Sequence, residues 1–294
     1  MNNRIKYCIT HNGLFHADDV FATAWLSKYF NLDVCENNFH RTNDIKQCEM
    51  DNPDIIIYDI GLTYSKSKKI FDHHQKDKPH RDNGYPYAAF GLIFQEYNDL
   101  PEFVYNTLVN RLVIPIELAD NGMAQIDVPH YSINHVINLF NHINDDNNTC
   151  RYANFIEAVK IASIVIDKEI SLAIKQEEDY KSIISSKIID NHILVMDKCY
   201  SGWQSAILNT PDLNNILYVI YPGLRGGYQI QAVPDKIGSF GMRKPLPEEW
   251  RGKDKNELNK LINLDDVIFC HPAGFIGGAE SFNSAIKMAK IAIQ

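Results

Sequence analysis

The sequence predicts an α/β protein in two parts. These are an N-terminal domain on a mostly parallel sheet, reached through a long connecting helix to a smaller C-terminal α/β domain. Three observations predict it. Strand-like apolar runs alternate with helical segments over residues 1–120, the pattern of βα units. A long stretch with a polar end, IEAVKIASIVIDKEISLAIKQEEDYKSIISSK (156–187), then reads as one helix. Strand-like runs resume after it and continue to the end of the chain. A length of 294 residues also favours two domains, at about 150 residues each. The expected division is 1–187, including the long helix, and 188–294.

The elements follow in order. KYCIT (6–10) reads as a strand ending at a polar turn. ADDVFATAWLSKYF (17–30) reads as a helix with Val20, Phe21, Ala24, Trp25 and Leu26 mostly on one side. DIIIYDIG (54–61) reads as a buried strand, because its isoleucine run is apolar without alternation. KKIFDHH (68–74) is a short strand. YAAFGLIFQEY (87–97) and PEFVYNTLVNRLVIPIELAD (101–120) are helical, and Pro115 should kink or end the second. Asn, Asp and His crowd residues 141–149, which reads as an exposed loop within an otherwise helical 131–187 region. ILVM (193–196), NILYVIY (215–221), YQIQAV (228–233) and VIFC (267–270) read as strands, and SAIKMAKIAI (284–293) as the closing helix.

Composition narrows the class. Apolar residues make up 45% of the chain and charged residues 22%, as in ordered globular proteins. No apolar run approaches the roughly 18 residues of a membrane span. MNNRIKYCIT runs straight into a strand-like segment and lacks the features of a secretory or transit leader, so the expected location is the cytoplasm. Six cysteines without a CxxC pair argue against a zinc ribbon or redox motif and for buried thiols in a reducing compartment. The net charge of −8 excludes a protein that grips duplex nucleic acid along its length. A local basic cleft, or a small anionic substrate held by metals, fits it.

Four short stretches carry chemistry. THNGLFHADD (10–19) places His11, His16, Asp18 and Asp19 in a Gly-containing turn between strand and helix. Imidazoles mixed with carboxylates suit manganese, iron or zinc better than magnesium alone. A single aspartate there would read as a helix cap. Asp59 follows a buried isoleucine run, where a carboxylate is costly unless paired or bound to a cation; otherwise it is a turn aspartate before Gly61. FDHHQ (71–75) supplies Asp72, His73 and His74. Adjacent strand residues point to opposite faces, so both histidines reach one site only if the strand ends before them. Asp120 lies in ELADNG, which alone reads as a turn. His11, His16, Asp18, Asp59, His73 and Asp120 together suffice for two metals sharing one carboxylate, an arrangement suited to phosphoester hydrolysis.

With these motifs the chain resembles the DHH phosphoesterase superfamily, and within it the melanocyte-proliferating-gene exonuclease family, once described as metal-dependent protein hydrolases. The resemblance is carried by THNGLFHADDVFA (10–22), YDIG (58–61), FDHHQ, ELADNG (117–122), YVIYP (218–222), QAVP (231–234), RKPLPEEWRG (243–252) and HPAGFIGG (271–278), which span nearly the whole chain. It implies a metal-dependent phosphodiesterase, a 3′–5′ exonuclease on single-stranded RNA, using two divalent ions. Manganese is the expected ion, with magnesium, iron and zinc as alternatives. It implies that His11 and His16 hold one metal and Asp18 the other. Asp59 would bridge, and His73 would bind the second metal with Asp120. His74 would face the phosphate or leaving group, with Asp72 orienting a histidine from behind. It further implies a C-terminal substrate-binding domain. There Arg243, Lys244, Arg251 and His271 are candidate contacts, with Gly277 and Gly278 offering backbone N–H groups before a helix. A homodimer is compatible with the resemblance. The chain departs from the wider superfamily in two places. His16 stands where an aspartate is usual, which favours softer ions. Residues 131–142 lack the expected Arg-containing stretch followed by Asn-Pro.

Two other functions fit the same residues. One is a small-molecule phosphoesterase, pyrophosphatase or dinucleotide phosphodiesterase, since only Trp250 lies beside the Arg243–Arg251 basic run and long single strands need stacking platforms. The other is a non-catalytic metal-binding scaffold.

Overall fold

The structure, a computed structural model, describes residues 5–124, 131–141 and 148–294. Most of the 141–149 loop expectation lies outside the described residues. Contacts divide the chain into Met1–Ile174 and Lys175–Gln294, earlier than the expected 187/188.

The first unit contains β1 (Tyr7–Thr10), α1 (Ala17–Phe30), β2 (Phe39–Arg41), α2 (Gln47–Met50), β3 (Ile55–Tyr58), β4 (Tyr64–Ser65) and β5 (Ile70–Phe71). These are followed by α3 (Ala89–Glu96), α4 (Glu102–Leu108), α5 (Ile114–Asp120), α6 (Ile133–Asn138) and most of α7 (Asn148–Ile184). Its sheet has the order β2-β1-β3-β5-β4. The β1/β2, β1/β3 and β3/β5 pairs are parallel, and only β4 runs antiparallel, against β5. β3 is buried over its whole length, as its isoleucine run requires. α1 differs from expectation: it is buried on every side over Ala17–Leu26 rather than along one stripe, because α3, α5 and α6 all pack on it. The segment before Pro115 widens into a π-helical turn, Val109–Val113, where the Ile114 N–H donates to the Val109 carbonyl. Pro115 has no N–H to continue the ladder, so the irregularity falls at the turn before it. α5 restarts there and ends on Asp120.

The second unit contains the end of α7, then β6 (Lys187–Ile189), β7 (Ile193–Val195), α8 (Trp203–Asn209), β8 (Tyr218–Pro222), β9 (Tyr228–Ala232), α9 (Lys255–Ile262), β10 (Val267–Cys270), β11 (Ile276–Ala279) and α10 (Phe282–Ile293). The sheet order is β10-β11-β9-β8-β7-β6, and only the β7/β8 pair is parallel. Alternation along β8 serves two cores. Tyr218 and Ile220 join the core with α9 and α10, while Val219 and Tyr221 join the one with α8 and Ile183. No helix among the described residues is long and apolar enough to cross a membrane.

Candidate metal centre

The site forms where three neighbouring parallel strands end, the usual place for ligands in an open α/β sheet. His11 follows β1, Asp59 follows β3, and Asp72, His73 and His74 follow β5. Because β3 lies between β1 and β5, the strand order itself puts Asp59 between the two histidines. Asp59 Oδ2 is 3.3 Å from His11 Nε2, and Oδ1 is 3.3 Å from His73 Nε2. Its backbone is left-handed, φ 55°, a conformation that aspartate tolerates better than most residues. β5 stops at Phe71, so strand alternation no longer governs the two histidines.

Among the described residues, three groups of ligand atoms, each within 4.8 Å of one another, meet here. They are His11, Asp19 and Asp59; Asp18, His73 and Asp120; and Asp59, Asp72, His73 and His74. Asp18 is fully buried and accepts hydrogen bonds from Ala89 N and Phe90 N at 2.8 Å each, so it caps α3 rather than its own helix. Asp120 Oδ2, on the last residue of α5, is 3.2 Å from His73 Nε2.

Asp19, not His16, completes the group on His11. His16 is the N-cap of α1, exposed, with its ring centroid 6.0 Å from that of His11. It lines the same pocket of about 330 Å³ with His11, Asp59, His74 and Asp120. Asp19 Oδ1 accepts from His16 N at 2.7 Å, while Oδ2 is 3.4 Å from His11 Nε2. The spacing of His16 and Asp19 is that of a capping box, a signal in the sequence that fixes which carboxylate turns back toward the loop.

Arg41, which no motif announced, lies beneath this group. Its guanidinium is nearly sealed, 3% exposed, and packs over the rings of Phe15 and Phe155 at 5.3 and 4.3 Å. Nη2 donates to the Gly13 carbonyl and sits 3.6 Å from Asp19 Oδ2. It ties the His11–His16 loop to β2.

The donor set fits divalent cations. Asp18, Asp19, Asp59 and Asp72 are all buried, which is unfavourable without matching positive charge. His73 Nε2 and Asp19 Oδ2, both facing the cluster, are buried without a hydrogen-bond partner. His11 Nδ1 is 3.2 Å from the Asn12 carbonyl, so it carries the proton and leaves Nε2 as the ligand atom.

Titration follows the same logic. Burial pulls the His11 imidazole down, but the hydrogen bond to Asp59 and the charges of Asp19 and Asp59 outweigh it and push it up to about 9. Burial likewise opposes, and Asp120 and Asp59 overcome, so that His73 rises to about 10. Burial would raise Asp59, yet the two imidazoles hold it below the usual carboxylate range. Burial lifts Asp19 to about 6 against His11 and Arg41, and lifts Asp18 well above its ordinary value, aided by Asp120 and Asp59.

Both imidazoles are therefore protonated in the metal-free protein at neutral pH, and metals must displace those protons. Affinity for Mn²⁺ is expected to rise by up to about tenfold per pH unit for each proton released, levelling off above about 9 to about 10. Calorimetric titration in buffers of different ionisation enthalpy counts the protons. Without metal, the raised imidazoles contribute stability that is full below about 6.5 and is lost as pH climbs through about 9 and about 10.

Behind His73, Asp72 orients His74. Asp72 Oδ1 is 2.7 Å from His74 Nδ1 and also accepts from His73 N at 2.8 Å, while Oδ2 accepts from Leu62 N at 2.6 Å. The hydrogen bond to Asp72 raises the His74 imidazole above its ordinary value. His74 is half-exposed and its ring lies 4.2 Å from that of His73.

The C-terminal candidates have local partners. Arg243 Nη1 donates to the Leu213 and Ile216 carbonyls at 3.0 and 2.8 Å, Lys244 to the Ile293 carbonyl, and Arg251 Nε to the Leu246 carbonyl at 3.0 Å. Arg251 braces its own loop, whereas Arg243 and Lys244 tie theirs to the segment before β8 and to the end of α10. Gly277 and Gly278 lie inside β11, paired with β9 and β10, rather than in a loop before the helix. A Cβ on Gly277 would come within 3.1 Å of the Phe269 carbonyl, and one on Gly278 within 2.7 Å of the Phe269 ring. Close packing accounts for the pair, and the following helix is capped by its own Ser281. His271 is exposed, with Nδ1 accepting from Ala273 N at 3.1 Å, so a proton is carried at Nε2.

An α/β fold with paired imidazole–carboxylate groups about a shared aspartate at its strand ends defines a metal-dependent hydrolase. The uncharacterised protein family UPF0160, the MYG1 exonuclease family, matches residues 7–293, and the chain belongs to it. It is 28% identical over 333 residues to the MYG1 protein C27H6.8 of Caenorhabditis elegans, covering 97% of this chain and 94% of that one. It is 24% identical over 331 residues to the MYG1 exonuclease of Homo sapiens, covering 96% and 84%. Among solved structures, RecJ of Thermus thermophilus in complex with Mn²⁺ aligns with a TM-score of 0.28 at 13% identity. That alignment covers 98% of this chain and 52% of RecJ, so the chain spans about half the length of that protein.

Proposed function

We propose that this chain is a two-metal phosphodiesterase, with manganese as its ion, that removes nucleotides from the 3′ end of single-stranded RNA in the cytoplasm. The observation that carries it is Asp59, whose two oxygens each face a different histidine group. When bound, two divalent ions activate water at neutral pH and neutralise charge on the attacking and leaving oxygens. The chain's own residues do the rest. Asp72 fixes His74 through Nδ1, and His74 holds a proton at Nε2 for the leaving oxygen. The N-terminal domain is the catalytic one and the C-terminal domain binds substrate, where His271 Nε2–H is the expected donor whose side chain is exposed. Support for a nuclease comes from relatives named exonucleases in Mus musculus and Homo sapiens. Free cysteines, five among the described residues, suit a reducing compartment.

The test is the Mn²⁺-loaded full chain on 5′-labelled single-stranded RNA. A ladder shortened from the 3′ end is expected; cleavage of dinucleotides alone would favour the small-nucleotide phosphodiesterase, which the net charge of −8 also suits. His74→Ala should lower kcat by about 10²- to 10⁴-fold with bound metal unchanged by elemental analysis. Loss of metal along with activity would instead make His74 a ligand.

A further inference from the structure

The C-terminal unit holds a second cavity, of about 500 Å³, lined in part by Tyr221, Arg225, Tyr228, Gln229, Ile268 and Phe269. The metal centre uses none of these. The cavity is built by an irregularity in β10. Its register against β11 shifts between Val267 and Phe269, leaving Ile268 as the extra residue. In a regular strand Ile268 and Phe269 would face opposite sides; the bulge lets both line one cavity. Gly278 stands opposite Phe269, and only a residue without Cβ leaves room for the Phe269 ring there. The β8–β9 turn closes tightly on the same place. Gly227 has φ 68°, and a Cβ on it would lie 2.6 Å from the Ala279 carbonyl and 3.2 Å from Ile268.

The walls are held from behind. The Tyr228 ring packs 5.3 Å from Phe282, and the Tyr221 hydroxyl donates to Gln231 Oε1 at 2.6 Å. Tyr228, Gln229 and Phe269 nevertheless stay partly exposed. Among the described residues, no acidic side chain lines the cavity and Arg225 is its one cation, on a chain whose net charge is −8. The Phe269 ring, held over Gly278 and partly exposed, suits a flat π-surface. An amide that both donates and accepts suits the edge of a heterocycle. A lone guanidinium suits a phosphate.

We propose that this cavity binds one nucleotide of the substrate, its base stacked on Phe269, its edge met by Gln229 and its phosphate by Arg225. This rests on the nuclease reading given above and names where a base is gripped. It also supplies the stacking platform that the Arg243–Arg251 run lacks.

The probe is AMP, which has no phosphodiester to cleave, added to the metal-loaded full chain. Cys199 lines the cavity and is exposed; Cys48 is exposed in the other unit and serves as the internal control. AMP and adenosine should slow alkylation of Cys199 by iodoacetamide and leave Cys48 unchanged, while ribose 5-phosphate should protect much less. Phe269→Leu, which keeps an apolar side chain without the ring, should weaken AMP binding by about 5- to 150-fold, the range for one lost stacking partner. Hydrolysis of bis(4-nitrophenyl) phosphate, which carries no nucleobase, should not change in that variant. Unchanged Cys199 alkylation with AMP, equal protection by ribose 5-phosphate, or wild-type AMP binding by Phe269→Leu would each overturn the proposal. Failure of the nuclease reading is separate: RNA and DNA would stay intact whether or not AMP protects Cys199.

Discussion

Asp59→Asn is expected to abolish phosphodiester hydrolysis and to lower bound divalent metal below that of the parent protein. Asparagine keeps the size of the side chain and tolerates the left-handed backbone at φ 55°. The variant therefore removes the charge while sparing the turn. In the parent, both carboxylate oxygens are engaged, one 3.3 Å from His11 and the other 3.3 Å from His73. An amide offers only one oxygen and no charge, so both ligand groups that include Asp59 are impaired. The loss in kcat should exceed the roughly 10- to 100-fold that follows loss of an outer partner of a metal ligand. Circular dichroism should show the fold intact. Turnover within tenfold of the parent would sink the shared-carboxylate arrangement.

Gly91→Ala should be among the most destabilising single changes in the first unit. A Cβ at this position of α3 would lie 1.6 Å from Glu117 Oε1, and Glu117 is fully buried. Glu117 accepts from Arg81 Nε at 2.7 Å, and the Arg81 guanidinium lies 4.3 Å over the Tyr87 ring. Burial raises the Glu117 carboxyl although Arg81 opposes the shift, so the pair depends on staying close. Displacing Glu117 leaves two buried charges apart, a loss of about 3–5 kcal/mol, to be read by urea denaturation. Glu117 sits one helical turn before Asp120 on α5, so metal affinity should fall as well. A variant as stable as the parent would mean that α3 and α5 separate without penalty.

Most of the centre was legible because its residues follow directly on recognisable strands. An apolar run that stops at Asp59, and another that stops before Asp72, mark strand ends, where sheets of this kind collect ligands. Asp18 and Asp19 were harder to separate. They are neighbours at a helix start, and what divides them is the amide pair of α3, 71 and 72 residues away in sequence. Arg41 gave no signal, since β2 is three residues long and shows no periodicity. The surroundings of the basic run at 243–251 were hidden for a different reason. A sequence displays charge but not the backbone carbonyls that Arg243, Lys244 and Arg251 meet after folding. β4, with two residues, and β11, with two glycines among its four, fall below what strand patterns reveal.

The position of the chain's division within α7 bears on how the protein can be taken apart. Phe155, Ala158, Val159, Ala162, Ile166 and Ala173 of this helix belong to the core of the first unit, and Ile183 to a core of the second. Units joined by a loop present a ready cleavage site; here the joining backbone is itself hydrogen-bonded helix. A truncation at 174/175 would give each fragment a severed helix end with unpaired carbonyls or amides. Fragments for crystallisation or complementation would do better to overlap, each carrying its own copy of the turns on either side of Ile174.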